Sequence, residues 1–175
     1  MYLILSCFEV FFRNIINNLL IQYDKNWITN INNLHKQISK DFTNYQNKSK
    51  TKTNKDINDF FNKQENLIKI AEQELLIKNK ETTNNYLISQ LSFGFWENLL
   101  SKNYENFIWN KYLKHTFKVS RGFLQQEINF LRKLRNRIAH NEHILNYNIK
   151  DCKTKIYNIL DLVDINLKDF MDDMS

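Results

Sequence analysis

The chain has 175 residues, 42% of them apolar and 14% aromatic, which is enough for one domain with a full hydrophobic core and too apolar for a disordered chain. It carries a formal charge of +6, contains no proline and has only two glycines, Gly94 and Gly122. That composition excludes folds built from many tight turns and favours long helices joined by polar loops. A basic balance is compatible with nucleic acid and does not by itself require it.

The elements follow in chain order from apolar spacing. A first helix is expected over residues 2–23, apolar on nearly all sides, with Glu9, Arg13 and Asn14 as its polar exceptions. Glu9 and Arg13 are an i,i+4 pair and are expected to meet. The run Met1–Phe12 lacks a basic leader and a small-residue cleavage site. Glu9 and Arg13 interrupt it before the ~18 apolar residues needed to span a bilayer. It reads as a buried helix of a cytoplasmic protein with no membrane partner.

A second helix starts at Trp27, with Ile31, Leu34, Ile38, Phe42 and Tyr45 in register. Residues 46–55 contain no apolar side chain and carry Lys48, Lys50, Lys52 and Lys55, so they read as a flexible basic loop. A third helix covers 56–78, capped by Asp56, and a fourth covers 85–101, capped within Thr82–Asn84. Gly94 in that aromatic segment points to close packing, because glycine costs a helix about 1 kcal/mol against alanine. A short helix over 104–113 precedes a helix capped by Ser120. A last helix runs over 150–171 and ends in an acidic tail. Residues 161–175 hold five aspartates against one lysine, net −4. Cys7 and Cys152 show neither a disulfide ladder nor metal-ligand spacing and are expected in the core, in a reducing compartment. His35 and His115 are expected on the surface. No internal repeat or domain boundary is visible, so residues 1–175 read as one all-α domain, a bundle of about five to seven helices.

Residues 132–145 carry the chemistry. Arg132, Lys133, Arg135 and Arg137 place four cations within six residues, followed by His140 and His143. Leu124, Ile128, Leu131, Leu134 and Ile138 run through the same segment on one face, so the polar groups sit on a rigid helix. On an ideal helix Asn136 and His140 share a face, whereas Arg135 and His140 are roughly 140° apart. Either the arginine swings round, or a second copy of the helix completes the cleft. Histidine titrates near neutrality and can take or give a proton, and arginine matches phosphate with paired donors. These residue types fit metal-free RNA cleavage, in which the 2′-OH attacks the adjacent phosphorus. On spacing alone, an Arg-x4-His on a basic helix is usually structural. The run His140-Asn141-Glu142-His143 raises a metal reading, but no second cluster completes a site; neither metal nor cofactor is expected.

The segment Leu134-Arg135-Asn136-Arg137-Ile138-Ala139-His140-Asn141-Glu142 resembles the Arg-Asn-x-x-x-His motif of HEPN domains, specifically their Abi-like (abortive infection) branch. Two further stretches are similar to that branch in the same order. Phe8-Glu9-Val10-Phe11-Phe12-Arg13-Asn14, with Tyr23 and Trp27, resembles its early helix, and Leu91-Ser92-Phe93-Gly94-Phe95-Trp96, with Trp109, resembles its central segment. The resemblance implies a HEPN-like helical bundle, often dimeric, that acts as a metal-independent endoribonuclease in phage defence or as a toxin. Arg135, Asn136 and His140 would be catalytic. Glu9, Arg13, Asn14, Arg132, Arg137 and His143 would support them or bind RNA. RNA, a second copy with motif helices facing, and a cognate antitoxin (protein or RNA) are the implied partners. Two departures stand out: Asn141 replaces the second histidine of the usual pair, and His143 stands where proline is common. The chain also begins close to its first motif, so a leading segment seen in longer relatives is expected to be missing. The alternative is a catalytically inactive module of the same fold that binds RNA or another protein.

Overall fold

In the computed structural model, which describes residues 1–46 and 54–163, the described residues are helical and contain no strand. The α-helices are α1 (Tyr2–Ile21), α2 (Ile31–Gln46), α3 (Asn54–Ile77), α4 (Asn84–Gln90), α5 (Phe93–Asn98), α6 (Lys114–Phe117), α7 (Arg121–Ala139) and α8 (Ile149–Asp161). A 3-10 turn, Lys102–Tyr104, and a π-helix, Glu105–Leu113, link α5 to α6. The expected count of five to seven helices is therefore exceeded. The segment expected as one helix over 85–101 breaks after Gln90, where Leu91 and Ser92 are extended and restart the chain as α5. The short helix expected over 104–113 is wound as a π-helix. The basic loop residues 47–53 and the acidic tail beyond 163 lie outside the described residues; Lys55 is exposed on α3.

Apolar side chains on α1 recur at three- and four-residue steps, and Leu5, Phe8, Phe12 and Ile16 are fully enclosed. The helix packs against α5, α7 and the π-helix. Phe8, Phe12 and Phe93 form an aromatic cluster, with Phe117 6.3 Å from Phe12 and Trp109 6.2 Å from Phe117. By length and composition α1 could cross a bilayer; here seven of its residues, Ile4, Leu5, Phe8, Phe12, Ile16, Asn17 and Leu20, are buried in the core.

Helix ends show how a chain poor in glycine stops a helix. Both glycines avoid positive φ; among the described residues Asn79, Lys118 and Asn141 adopt it instead. Asn79 closes α3 in a Schellman turn, with Lys80 N donating to Leu75 O at 2.9 Å and Asn79 N to Leu76 O at 3.0 Å. Asparagine reaches the left-handed region at lower cost than most residues, which suits it to this position. At the N-termini, Thr83, Ser120 and Asn148 cap α4, α7 and α8 with their side chains. Asp56 does not cap α3. The helix begins two residues earlier, and Asp56 sits in its first turn, where its charge complements the helix dipole. Trp27 precedes α2 rather than opening it. Asp24 accepts from Asn26 N and Asn30 Nδ2, both at 2.8 Å, and so shapes a turn that buries Trp27 with its Nε1 donating to Asn17 Oδ1 at 3.0 Å.

Gly94 does not mark an obligatory close approach. A Cβ there would meet Ser92 Oγ at 3.7 Å and Arg132 Cδ at 3.9 Å, which are ordinary contacts. Cys152 is buried as expected, and Cys7 is half-buried and free.

His35 corrects the expectation of a surface residue; it is 2% exposed. It lies between α2 and α3, stacked on Phe61 at 4.2 Å, with Nδ1 2.8 Å from Glu65 Oε1 and Nε2 2.6 Å from the Tyr104 hydroxyl. An imidazole fits this site because its flat face packs like an aromatic ring while both nitrogens find partners. His115 is exposed.

Candidate functional site

α7 buries Leu124, Ile128, Leu131 and Leu134, and its charged side chains reach α1 (Arg135), α5 (Arg132), α8 (Glu127) and the π-helix (Arg121). Its N-terminus is fixed by Ser120, whose hydroxyl accepts from Phe123 N at 3.2 Å. The motif is not helical throughout. α7 ends at Ala139, His140 is its C-cap, and Asn141 adopts φ 54°. Glu142 N donates to Arg137 O at 2.8 Å and Asn141 N to Ile138 O at 3.1 Å, a second Schellman turn. The departure from the usual histidine at position 141 thus coincides with a left-handed backbone that asparagine accommodates.

Arg135 is held from α1. Its Nε lies 2.9 Å from Glu9 Oε2, with the two side chains 30% and 13% exposed. The Nε–H is not directed along that line, so the contact is ionic rather than an aligned hydrogen bond. Nη1 of Arg135 donates to Asn136 Oδ1 at 3.4 Å. The expected Glu9–Arg13 pair is therefore replaced. Glu9 serves Arg135 across the helix interface, while Arg13 donates from Nη1 to Ser89 O at 3.5 Å. The geometric reason is that α7 packs directly on the Glu9 face of α1 and brings a guanidinium to the carboxylate.

Arg132 forms a short ion pair with Glu97 of α5. Glu97 was not singled out by the sequence reading, although it is 6% exposed, and a buried carboxylate demands a partner. Its position directly after the buried Trp96 was the available signal. Arg137 is engaged structurally: Nη1 donates to His143 O at 2.9 Å, and Nε lies 3.8 Å from Glu142 Oε2. It fastens the turn that follows the motif rather than pointing freely to a ligand. Asn14 and His143 are exposed.

Three of the expected residues are thus brought together: Glu9, Arg135 and Asn136. Among the described residues no direct bond joins Arg135 to His140, whose imidazole is exposed and has no hydrogen-bond partner. No group of three or more His, Cys, Asp or Glu side chains assembles among the described residues, so His140, Glu142 and His143 do not converge as ligands. The aromatic residues of the motif segments, Phe93, Phe95, Trp96 and Trp109, are all core.

A family model described as "Abi-like protein" matches residues 1–146. The match runs from α1 through the turn after α7 and contains every residue of the candidate site; α8 lies beyond it. No curated protein and no solved structure matches the chain. The match covers most of the sequence and its three ordered motifs, and the chain belongs to the Abi-like protein family.

Proposed function

We propose that this Abi-like chain is a HEPN-type, metal-independent endoribonuclease that acts as a toxin or phage-defence effector in abortive infection. The observation that carries it is the arrangement on α7: a guanidinium fixed from the side by Glu9, beside Asn136, one turn before an exposed and unpartnered imidazole. Glu9 engages Nε of Arg135 and Asn136 one proton of Nη1, leaving the remaining N–H groups to meet phosphate oxygens. His140 removes the proton from the ribose 2′-OH. The oxygen then attacks phosphorus, the bond to the 5′-oxygen breaks, and the His140 imidazolium returns its proton to that leaving oxygen. The products are a 2′,3′-cyclic phosphate and a 5′-OH end. Arg135 stabilises the charge that builds on the non-bridging oxygens. Asn136 orients Arg135 through its side-chain oxygen.

In a homodimer with α7 facing α7, each cleft would draw Arg135 from one copy and His140 from the other. A cytoplasmic location, an RNA substrate and a cognate antitoxin belong to the same reading. The second reading, an inactive RNA-binding or protein-interaction module, is favoured by one observation: the Glu9 carboxylate already offsets the Arg135 charge.

The test is RNA cleavage by the purified chain in EDTA, compared with His140→Ala. Wild type is expected to leave cyclic-phosphate ends. His140→Ala is expected to abolish cleavage with its circular dichroism spectrum unchanged. Full activity in His140→Ala, or strict dependence on added metal, would remove the mechanism.

A further inference from the structure

We infer that Arg13 is a second phosphate-binding residue, taking the backbone phosphate adjacent to the one held at Arg135 on a single-stranded RNA. The inference rests on the ribonuclease reading and adds a binding contact to it. α1, α5 and α7 pack directly against one another. Two guanidinium groups of α7 have acids on the facing helices: Glu9 of α1 for Arg135 and Glu97 of α5 for Arg132. Arg13 pairs with neither.

Its Nε is buried with no hydrogen-bond partner, and its Nη1 makes one long bond, 3.5 Å, to the Ser89 carbonyl. A half-buried guanidinium in that condition loses hydration that its surroundings do not return. The partner that completes it must be anionic and must present oxygens to forked donors, which is the chemistry of a phosphodiester. Arg13 lies one helical turn, about 5.4 Å, along α1 from the carboxylate that fixes Arg135. The two residues leave α1 on the same face. A strand whose one phosphate sits at Arg135 would therefore run along this face of α1 and present its next phosphate to Arg13.

The experiment measures binding of a mixed-sequence 2′-O-methyl oligonucleotide, which lacks the hydroxyl needed for cleavage, to the full chain over a salt series. Wild type is expected to bind. Arg13→Gln is expected to weaken binding by about tenfold and to reduce the slope of log affinity against log salt by about 0.7. Arg13→Lys keeps the charge and is expected to retain most of that slope. Thermal midpoints without oligonucleotide separate binding from folding. Arg13→Gln is expected to be at least as stable as wild type, because it removes a charge without a counter-ion. An unchanged slope in Arg13→Gln, while wild type binds the oligonucleotide and cleaves RNA, overturns this proposal alone. Failure of wild type to bind removes the ribonuclease reading as well. Arg13-dependent binding of inorganic phosphate with no change in the oligonucleotide slope makes the ligand a free anion and also overturns the proposal.

Discussion

Glu9 is the side chain whose role changed most between sequence and structure. Spacing on α1 pairs it with Arg13; packing gives it to Arg135. An i,i+4 partner on the same helix is worth a few tenths of a kcal/mol at an exposed site. A partner across a helix interface is less screened by solvent and fixes one geometry. Glu9 is therefore a positioning residue for Arg135. Glu9→Gln removes the charge and keeps an acceptor of the same shape. It is expected to lower kcat for RNA cleavage on the order of 10²-fold through loss of orientation, with KM little changed. Single-turnover kinetics against a short RNA would check this, and an unchanged kcat would return Glu9 to a purely structural role. Arg135 and His140 were visible in the sequence as candidates, because they lie in the motif that resembles the family. Glu97 and His35 were not. A lone acid or histidine in a run of apolar residues reveals nothing about its partner until another helix is placed beside it, and their partners, Arg132 and Glu65–Tyr104, lie 30 or more positions away.

The contact between the α2–α3 pair and the Tyr104 turn is governed by the state of one buried imidazole. Burial pushes the His35 pKa below its ordinary value, and the Glu65 hydrogen bond and charge only partly oppose that. In the neutral form Nδ1–H donates to Glu65 and the Tyr104 hydroxyl donates to Nε2, so every group is satisfied. Burial, with the nearby Glu65 charge adding to it, raises the Tyr104 pKa well above its usual value, so its hydroxyl stays protonated. The sign follows: a histidine whose folded pKa is lowered binds more protons when unfolded, so its contribution is present above about pH 6.5 and is lost as pH falls. Urea unfolding across a pH series is expected to show the stability gap between wild type and His35→Gln narrowing below about pH 6.5. At neutral pH, Tyr104→Phe leaves Nε2 without its donor and is expected to cost about 1–3 kcal/mol. A gap that stays constant with pH would contradict the buried neutral form. Helix existence and caps were largely readable here, since Ser120 and Thr83 sit where expected. The break at Leu91–Ser92 and the π-helical winding were not; the segments they start carry Trp96 and Trp109 into the core.

One hydrophobic cluster runs from Ile4 on α1 to Leu160 on α8 and sets the α7 site against α1. Within that body the arginine and the histidine of the motif are not bonded to each other, and the proposed dimer would bring them to one phosphate from two copies. Mixing Arg135→Ala with His140→Ala, each inactive alone, is expected to restore part of the cleavage activity, because a mixed dimer contains one intact composite cleft. Sedimentation of the same mixture should show a dimer. No recovery in a mixture that demonstrably exchanges subunits would place both residues in a single-chain site. The sequence by itself determined the all-helical class, the apolar faces, the Thr83 and Ser120 caps and the reactive residue types, since these depend on local periodicity and side-chain chemistry. Only the tertiary structure decided which carboxylate holds which arginine, that His35 is buried, and that α7 stops at Ala139 with His140 on its rim. Those outcomes depend on distances between helices remote in the chain, and no pattern along one helix encodes them.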